Sequence, residues 1–315
     1  MPAHAALSRA GTLLYQTGTQ LSRVVIAGAD GRARVVLDDR GDYAFPRLSP
    51  NAQQLAITVG AADHRDIWLD ELASGTRTRL TTAGLTNERP EWSPDGRHVL
   101  YRTDRGSHSG IWWRPSDLSA ESTPLVTGDR IDVFEAVISP DSRYVAYQVD
   151  TLGADIYYRA LSGDTVVRPI ANNPAAIETM PRISPDGHWI AFVTNESGRD
   201  EVVVQPFPGP GGRVQLSAGG GTEPVWSRDG RRLFYRGDAR LMAATIRATP
   251  AFTVVARDTV LADTYVHSSN PHANYDVLPD GTHFVFLQPD SEGELMVVAS
   301  WGSVLKERMA SAGIK

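Results

Sequence analysis

The sequence predicts an all-β fold, a β-propeller built of four-stranded antiparallel blades, and three observations carry that prediction. A short hairpin pattern recurs seven times along the 315 residues. Its copies begin at positions 8, 49, 93, 139, 184, 227 and 278, so the successive steps are 41, 44, 46, 45, 43 and 51 residues. Each step has room and patterning for four strands, and a four-stranded repeat of ~40–45 residues is the signature of a propeller blade.

The hairpin is clearest at 184–187, Ser-Pro-Asp-Gly, which lies between the apolar Ile183 and the alternating run 189–192. Pro fixes φ at the second position of a type I turn, Asp suits the third, and Gly tolerates a left-handed exit. Two apolar runs joined in this way predict a β-hairpin. The other copies are Ser8-Arg9-Ala10-Gly11, Ser49-Pro50-Asn51-Ala52, Ser93-Pro94-Asp95-Gly96, Ser139-Pro140-Asp141-Ser142, Ser227-Arg228-Asp229-Gly230 and Leu278-Pro279-Asp280-Gly281.

Strand patterning follows each hairpin in order. The third strand of a unit has apolar residues at both odd and even positions, as at 67–69 and 202–204. This pattern is typical of strands buried on both faces. The residue before each turn is always apolar, so we expect the innermost strand to pack against the neighbouring blade. The predicted strands are 5–8, 13–16, 23–28 and 32–37; 45–48, 54–59, 66–72 and 77–80; 90–92, 99–102, 110–114 and 123–126; 136–138, 144–148, 155–161 and 166–170; 181–183, 189–193, 201–207 and 213–216; 224–226, 232–235, 240–246 and 252–260; 275–277, 283–287 and 294–301.

The number of blades follows from this count. Six full units and three further strands favour seven blades, with six as the alternative, in a single domain over residues 1–315. The tail 304–312 is rich in Leu, Lys, Glu, Arg and Ala, which indicates a short capping helix, or else a fourth strand reached by the turn at 302–303.

Composition excludes several classes of protein. A net charge of -6 disfavours a general binder of nucleic acid or of an anionic membrane surface. The absence of cysteine excludes disulfides, thiolate zinc sites and thiol nucleophiles. No apolar stretch approaches the ~18 residues of a membrane helix, and no signal peptide is visible at the N-terminus. We therefore expect a soluble module without membrane insertion, whose partner is a protein, a peptide or a small ligand.

Repeats of the form apolar-Ser-Pro-Asp-Gly-Arg-x-apolar-Ala-Tyr resemble the PD40, or WD40-like, repeats of TolB-type β-propellers. The series 195–199, 205–209, 219–230 and 233–235, with the ending 297–301, further resembles the propellers attached C-terminally to bacterial Ser/Thr protein kinases. This resemblance implies a non-catalytic sensor or scaffold, extracytoplasmic where the kinase is membrane-anchored and otherwise cytoplasmic. The seven hairpins depart from the six blades usual in TolB-type propellers.

Acidic residues just before the innermost strands form the best candidate site. Because innermost strands of a propeller all point the same way, these residues gather at one mouth of the central channel, joined by a histidine of the long loop 263–274. A ring of carboxylates there would hold a cation such as Ca²⁺ or a basic peptide end. The alternative is that Arg47, Arg89 and Arg182 point inward and neutralise the ring. The candidate residues are Glu88, Glu135, Glu178, Glu223, His272 and Asp276.

The leading functional expectation is a non-catalytic module that binds a protein or small ligand on this channel-mouth face, with no resident cofactor. Two other classes compete with it. One is the accessory propeller of a prolyl-oligopeptidase-type peptidase, although this chain has no room for a hydrolase domain with Ser, Asp and His in that order. The other is a metal-dependent propeller hydrolase such as a lactonase, which would use a metal in the channel.

Overall fold

The fold was analysed in a computed structural model of the chain. The structure describes residues 5–8, 11–17, 21–61, 63–105, 108–128, 130–150, 153–248, 251–268, 271–290, 294–302 and 305.

The repeated turn forms as its sequence predicts. At Ser93 the hydroxyl donates to Asp95 at 2.6 Å and accepts the backbone N–H of His98 at 2.9 Å. Gly96 closes the turn with its N–H on the Ser93 carbonyl at 2.9 Å and a φ of 70°. Where the glycine is replaced, Ala52 and Ser142 adopt the same left-handed conformation, with φ of 54° and 56°. The serine therefore orders the turn even where glycine is absent, by donating to Asn51 in the first of these turns and to Asp141 in the second.

Six four-stranded antiparallel sheets form the blades within the described part of the chain. In each of blades 1 to 5, four consecutive strands run from the channel outward. The strands are β5 (Tyr43–Leu48), β6 (Gln54–Val59), β7 (Asp66–Glu71) and β8 (Arg77–Arg79) in blade 1; β9 (Asn87–Trp92), β10 (His98–Thr103), β11 (Gly110–Pro115) and β12 (Thr123–Val126) in blade 2; β13 (Asp132–Ile138), β14 (Tyr144–Asp150), β15 (Ala154–Ala160) and β16 (Arg168–Ala171) in blade 3; β17 (Glu178–Ile183), β18 (Trp189–Thr194), β19 (Glu201–Pro206) and β20 (Val214–Gln215) in blade 4; and β21 (Thr222–Trp226), β22 (Arg232–Gly237), β23 (Arg240–Arg247) and β24 (Thr253–Ala262) in blade 5.

Blade 6 joins the two ends of the chain. Its inner strands are β25 (Tyr275–Val277) and β26 (His283–Pro289), and its outer strands are β3 (Ser22–Gly28) and β4 (Ala33–Gly41). The two halves meet where β26 pairs antiparallel with β3, from His283 opposite Gly28 to Pro289 opposite Ser22. Strands from opposite ends of the sequence thus close the ring.

The prediction of seven blades was wrong, because the first hairpin does not begin a blade. Its strands β1 (Ala5–Leu7) and β2 (Leu13–Thr17) form a separate three-stranded sheet with β27 (Glu294–Val298). The third strand expected to follow them, β3, pairs instead with the last hairpin. Of the predicted C-terminal segment 304–312, only Leu305 lies inside the described residues, and it is helical.

Blade faces pack against one another through fully buried strands. In β3, Val25 and Ala27 pack against blade 5, while Val24 and Ile26 pack against blade 1. All four side chains are at most 5% exposed. The apolar residues at both odd and even positions of β3 therefore reflect its burial between two neighbouring blades.

Candidate functional site

One equivalent position of the innermost strands supplies four of the charged residues that line the central channel. It lies two residues before the first residue of the hairpin turn, and it carries charge in four of the six blades. The charged members belong to blades 1, 2, 4 and 6, and the other two are valines. These residues are Arg47, Glu91, Val137, Arg182, Val225 and Asp276.

Three of these residues form a closed cycle of polar contacts with Glu135 and His272, and we call these five side chains the central ion cycle. Arg47 Nε lies 2.7 Å from Glu91, and Arg182 Nη2 lies 3.0 Å from the same carboxylate. Arg182 also contacts Glu135 directly, and Glu135 lies 3.1 Å from Nδ1 of His272. His272 Nε2 closes the cycle on Arg47 Nη2 at 3.3 Å. Blades 1, 2, 3 and 4 and the loop preceding blade 6 all contribute a member.

The central ion cycle is buried, with exposed side-chain fractions from 0% for His272 to 15% for Glu91. Burial opposes charge on Glu135, but Arg182 and His272 outweigh it and hold the pKa of this carboxyl well below its usual range. Burial lowers the pKa of His272 to about 4, and Arg47 and Arg182 act in the same direction. Because Arg47 can only donate, Nε2 of His272 accepts and Nδ1 carries the proton toward Glu135.

Buried residues close the end of the channel that is nearest the loops between blades. They lie on the innermost strands, further from the hairpin turns than Arg47, Glu91 and Arg182. Four innermost strands have a residue in the left-handed region four positions before the turn: Phe45, Arg89, Met180 and Glu223, with φ from 55° to 58°. Phe45 lies edge-on to His272 at 4.9 Å between ring centroids, and Arg89 lies over Phe45 at 5.9 Å. Met180 accepts the N–H of Glu223 on its sulfur at 3.2 Å. All four are at most 7% exposed, so buried side chains fill this end of the channel.

The predicted ring of carboxylates is divided among separate groups. Glu135 and His272 meet in the central ion cycle, whereas Asp276 lies on β25 and accepts the N–H groups of Leu48 and Val277, each at 2.8 Å. Because both of its oxygens face the protein backbone, Asp276 is bound in place on the turn side of the cycle.

The other three predicted carboxylates each have their own arginine. Glu88 accepts from Arg65 at 2.8 Å and from Arg102 at 3.0 Å. Glu178 lies 3.7 Å from Arg213, and Glu223 lies 3.5 Å from Arg236. Burial raises the pKa of Glu178 and of Glu223, and their arginines only partly offset it. Of the six predicted residues, therefore, only Glu135 and His272 are in direct contact.

Sequence reasoning missed Glu91, which links both arginines of the cycle. Glu91 sits on an innermost strand between apolar neighbours, two residues before its turn, as Arg47 and Arg182 do in their own repeats. An alignment of the repeats on the turn serine would have shown this shared position.

The channel opens at the other end, where the hairpin turns lie, into a cavity of about 370 Å³ that we call the turn-end funnel. Its wall includes the apolar residue before each of the six turns, which packs partly against the neighbouring blade and partly faces the funnel. Four prolines of the turns surround its lip. Its five charged residues are Arg47, Glu91, Arg182, Arg228 and Asp276; the apolar residues are Leu48, Trp92, Ile138, Ile183, Val225, Trp226 and Val277; and the prolines are Pro50, Pro94, Pro140 and Pro185.

The ligand atoms of Glu91, Glu135 and His272 all lie within 4.8 Å of one another, close enough to hold a metal ion. Two guanidinium groups contact the same atoms, however, so an added cation would meet Arg47 and Arg182 at close range. We therefore expect millimolar Ca²⁺, compared with a chelator, to leave the melting temperature unchanged. A calcium-dependent rise in the wild type that Glu135→Gln abolishes would contradict this expectation and support a channel cation.

Stability should depend on pH through His272. Its pKa is about 4 in the folded chain and about 6.5 when unfolded, so the folded state favours the neutral ring. The resulting contribution to the free energy of unfolding, about 3 kcal/mol, is complete above pH 6.5 and is lost as the pH falls toward 4. Urea unfolding between pH 7 and 4 should show the loss.

His272→Gln is the matched control, because an amide can also accept from Arg47 and donate to Glu135 without titrating. We expect its unfolding free energy to vary less with pH over this window than that of the wild type. Equal pH dependence of the two proteins would show that His272 does not control it.

Comparison with known proteins supports the fold and the resemblance to TolB-type propellers. Residues 15–153 match the family model described as PD40, TolB beta propeller domain. Over 197 residues the chain is 23% identical to the Tol-Pal system protein TolB of Wolinella succinogenes, covering 59% of this chain and 46% of that protein. It is 30% identical over 176 residues to the uncharacterized protein Atu1656 of Agrobacterium fabrum, covering 52% and 59%. The chain thus spans roughly half of the length of each curated relative.

A solved structure described as a TolB from Agrobacterium tumefaciens superposes with a TM-score of 0.66 at 18% identity, covering 87% of this chain and 99% of that one. The described chain is therefore a six-bladed β-propeller whose channel is filled at one end and open at the other. The family predicted from the repeats, the PD40 TolB-like β-propellers, is supported by the family model over residues 15–153 and by the TolB relative of Wolinella succinogenes. No helical segment in the described part of the chain is long and apolar enough to cross a membrane.

Proposed function

We propose that this propeller is a non-catalytic binding module that takes an extended segment of a protein partner in the turn-end funnel. The observation that carries the proposal is the funnel itself, an open cavity of about 370 Å³ with rigid walls of proline and tryptophan. This volume lies within the range of specific ligand sites, ~300–1,000 Å³. Pro and Trp surfaces suit an extended peptide because they supply apolar contact area at little cost in conformational entropy.

The chemistry of the wall favours binding over catalysis. Ser93 carries the only hydroxyl group among the described residues of the funnel. That hydroxyl donates to Asp95 and accepts from His98, so it is held in the turn rather than poised beside a general base. The indole N–H groups are occupied as well, with Trp92 on the carbonyl of Arg47 and Trp226 on that of Arg182, each at 3.0 Å.

Two features support a protein partner. A relative that shares 23% identity is named for a Tol-Pal system. The repeats at 195–199 and 219–230 also resemble propellers attached to bacterial Ser/Thr kinases. We propose on that second basis that the module serves as the sensor part of such a kinase, which a kinase domain encoded in the same gene would support and its absence would oppose.

The binding proposal is tested with two pools of acetylated random pentapeptides, one with free C-termini and one amidated, passed over the immobilised chain. Pro140→Trp fills the lip of the funnel, and Arg143→Trp adds the same ring at an exposed position on the same turn outside it. We expect peptides to be retained by the wild type and by Arg143→Trp, to be lost with Pro140→Trp, and to elute uncleaved. Retention of no peptide, equal retention by Pro140→Trp, or cleavage would each overturn the proposal.

A further inference from the structure

The geometry points to a carboxylate site at the lip of the turn-end funnel, where Arg228 binds the C-terminal carboxylate of the partner's peptide. This inference rests on the proposed binding function and names the chemistry of its ligand. In five of the six blade hairpins the second turn residue is proline, and in blade 5 alone it is Arg228 (the prolines are Pro50, Pro94, Pro140, Pro185 and Pro279).

The Arg228 side chain extends across the lip of the funnel. Its backbone belongs to the turn of blade 5, whereas its Nη2 donates to the carbonyl of Ser49 in blade 1 at 2.9 Å. Blade 6 lies between these two blades, so the side chain passes its innermost strand, where Asp276 is located. A guanidinium has five N–H donors in a planar fork, and one bond to a carbonyl leaves the others available to a planar anion.

Of the three arginines that line the funnel, Arg228 is the one most available to an anion. Arg47 and Arg182 are neutralised within the central ion cycle by Glu91 and Glu135. Glu91 is already paired with Arg47 and Arg182, and both oxygens of Asp276 accept backbone N–H groups. Asp276 attracts Arg228 electrostatically, but because its oxygens are held by backbone N–H groups, Arg228 remains the funnel cation with most unused hydrogen-bond donors.

The walls identify the source of the carboxylate. Trp92 and Trp226 and the turn prolines give apolar contact for a stem behind the charged group, and the cavity is much larger than an inorganic anion requires. An extended peptide that enters by its C-terminus places one negative charge at the arginine and its last side chains against these rings. A free small carboxylic acid shares the charge but fills less of the wall.

The experiment compares the two pentapeptide pools on three proteins. Arg228→Pro restores the residue of the other five turns, so the fold has five precedents for it, and Arg228→Gln is the second variant should that chain fail to fold. Arg97→Ala removes an exposed arginine from the equivalent turn of blade 2, outside the funnel. The wild type and Arg97→Ala should retain free-acid peptides about tenfold more tightly than amides, and the Arg228 variants should lose this preference.

Each outcome separates this inference from the binding proposal. Equal retention of both pools by the wild type, or an unchanged preference in the Arg228 variants, would overturn the carboxylate site while leaving the binding module intact. Retention of neither pool would overturn the binding module itself. The small acid 3-phenylpropanoate is the third probe: if it binds as tightly as the best peptide, the carboxylate comes from a small molecule and the peptide assignment is wrong.

Discussion

Replacing Trp226 with alanine should lower the free energy of unfolding by about 3–5 kcal/mol, as expected for a large aromatic side chain removed from a packed core. Trp226 is 8% exposed and belongs to the cluster between blades 4 and 5. Its indole N–H also donates to Arg182 across that interface at 3.0 Å. The substitution therefore removes packing and leaves a backbone carbonyl beside the central ion cycle without its donor. Urea unfolding at pH 7 measures the effect.

Trp226→Phe is the control that separates these contributions. It keeps much of the ring volume next to Phe252, whose centroid lies 6.4 Å away, but it removes the donor. We expect a smaller loss than for alanine. An alanine variant as stable as the wild type would mean that Trp226 contributes nothing to the interface between these blades.

Replacing Arg182 with methionine should be similarly destabilising, by about 3–5 kcal/mol, because it leaves two buried carboxylates without their shared cation. Arg182 contacts both Glu91 and Glu135, and Glu135 is 1% exposed. The double variant Arg182→Met with Glu135→Gln should recover part of the loss, since the uncompensated charge is then removed.

Arg168→Met is the matched surface control. Arg168 pairs with Asp164 at 2.8 Å, but its side chain is 43% exposed, so its loss should leave the free energy of unfolding almost unchanged. A similar effect of both single substitutions, or a double variant no more stable than Arg182→Met alone, would contradict the role assigned to the central ion cycle.

Local features of this fold could be predicted from the sequence because they are set by neighbouring residues. The residues of each turn, in most copies serine, proline and aspartate, act within four residues of one another. The apolar residues at both odd and even positions of a strand such as β3 reflect burial on both of its faces. These signals locate every blade hairpin. They do not specify which distant strand pairs with which, and the pairing of β3 with β26 decides the blade count.

The same limit applies to the site. Glu135 was predicted from its place before an innermost strand, but its contact with Arg182 of the next blade depends on ring closure. Bulges in the innermost strands also disturb the simple alternation of side chains further from the turn, as between Thr179 and Arg182. Counting back from the turn therefore identifies the position of Arg182, but not which of the residues beyond the bulge face the channel. Phe45 and Met180 therefore gave no sign that they fill the loop end of the channel.

The most direct test of the account labels the seven tryptophans with 5-fluorotryptophan and follows their ¹⁹F resonances as the most strongly retained pentapeptide is added. Only Trp92 and Trp226 line the turn-end funnel among the tryptophans that the structure describes, and single Trp→Phe variants assign their signals. If the ligand enters the funnel, these two resonances shift together and saturate at the same peptide concentration. Shifts confined to other tryptophans, with Trp92 and Trp226 unmoved, would show that the ligand binds elsewhere on the propeller.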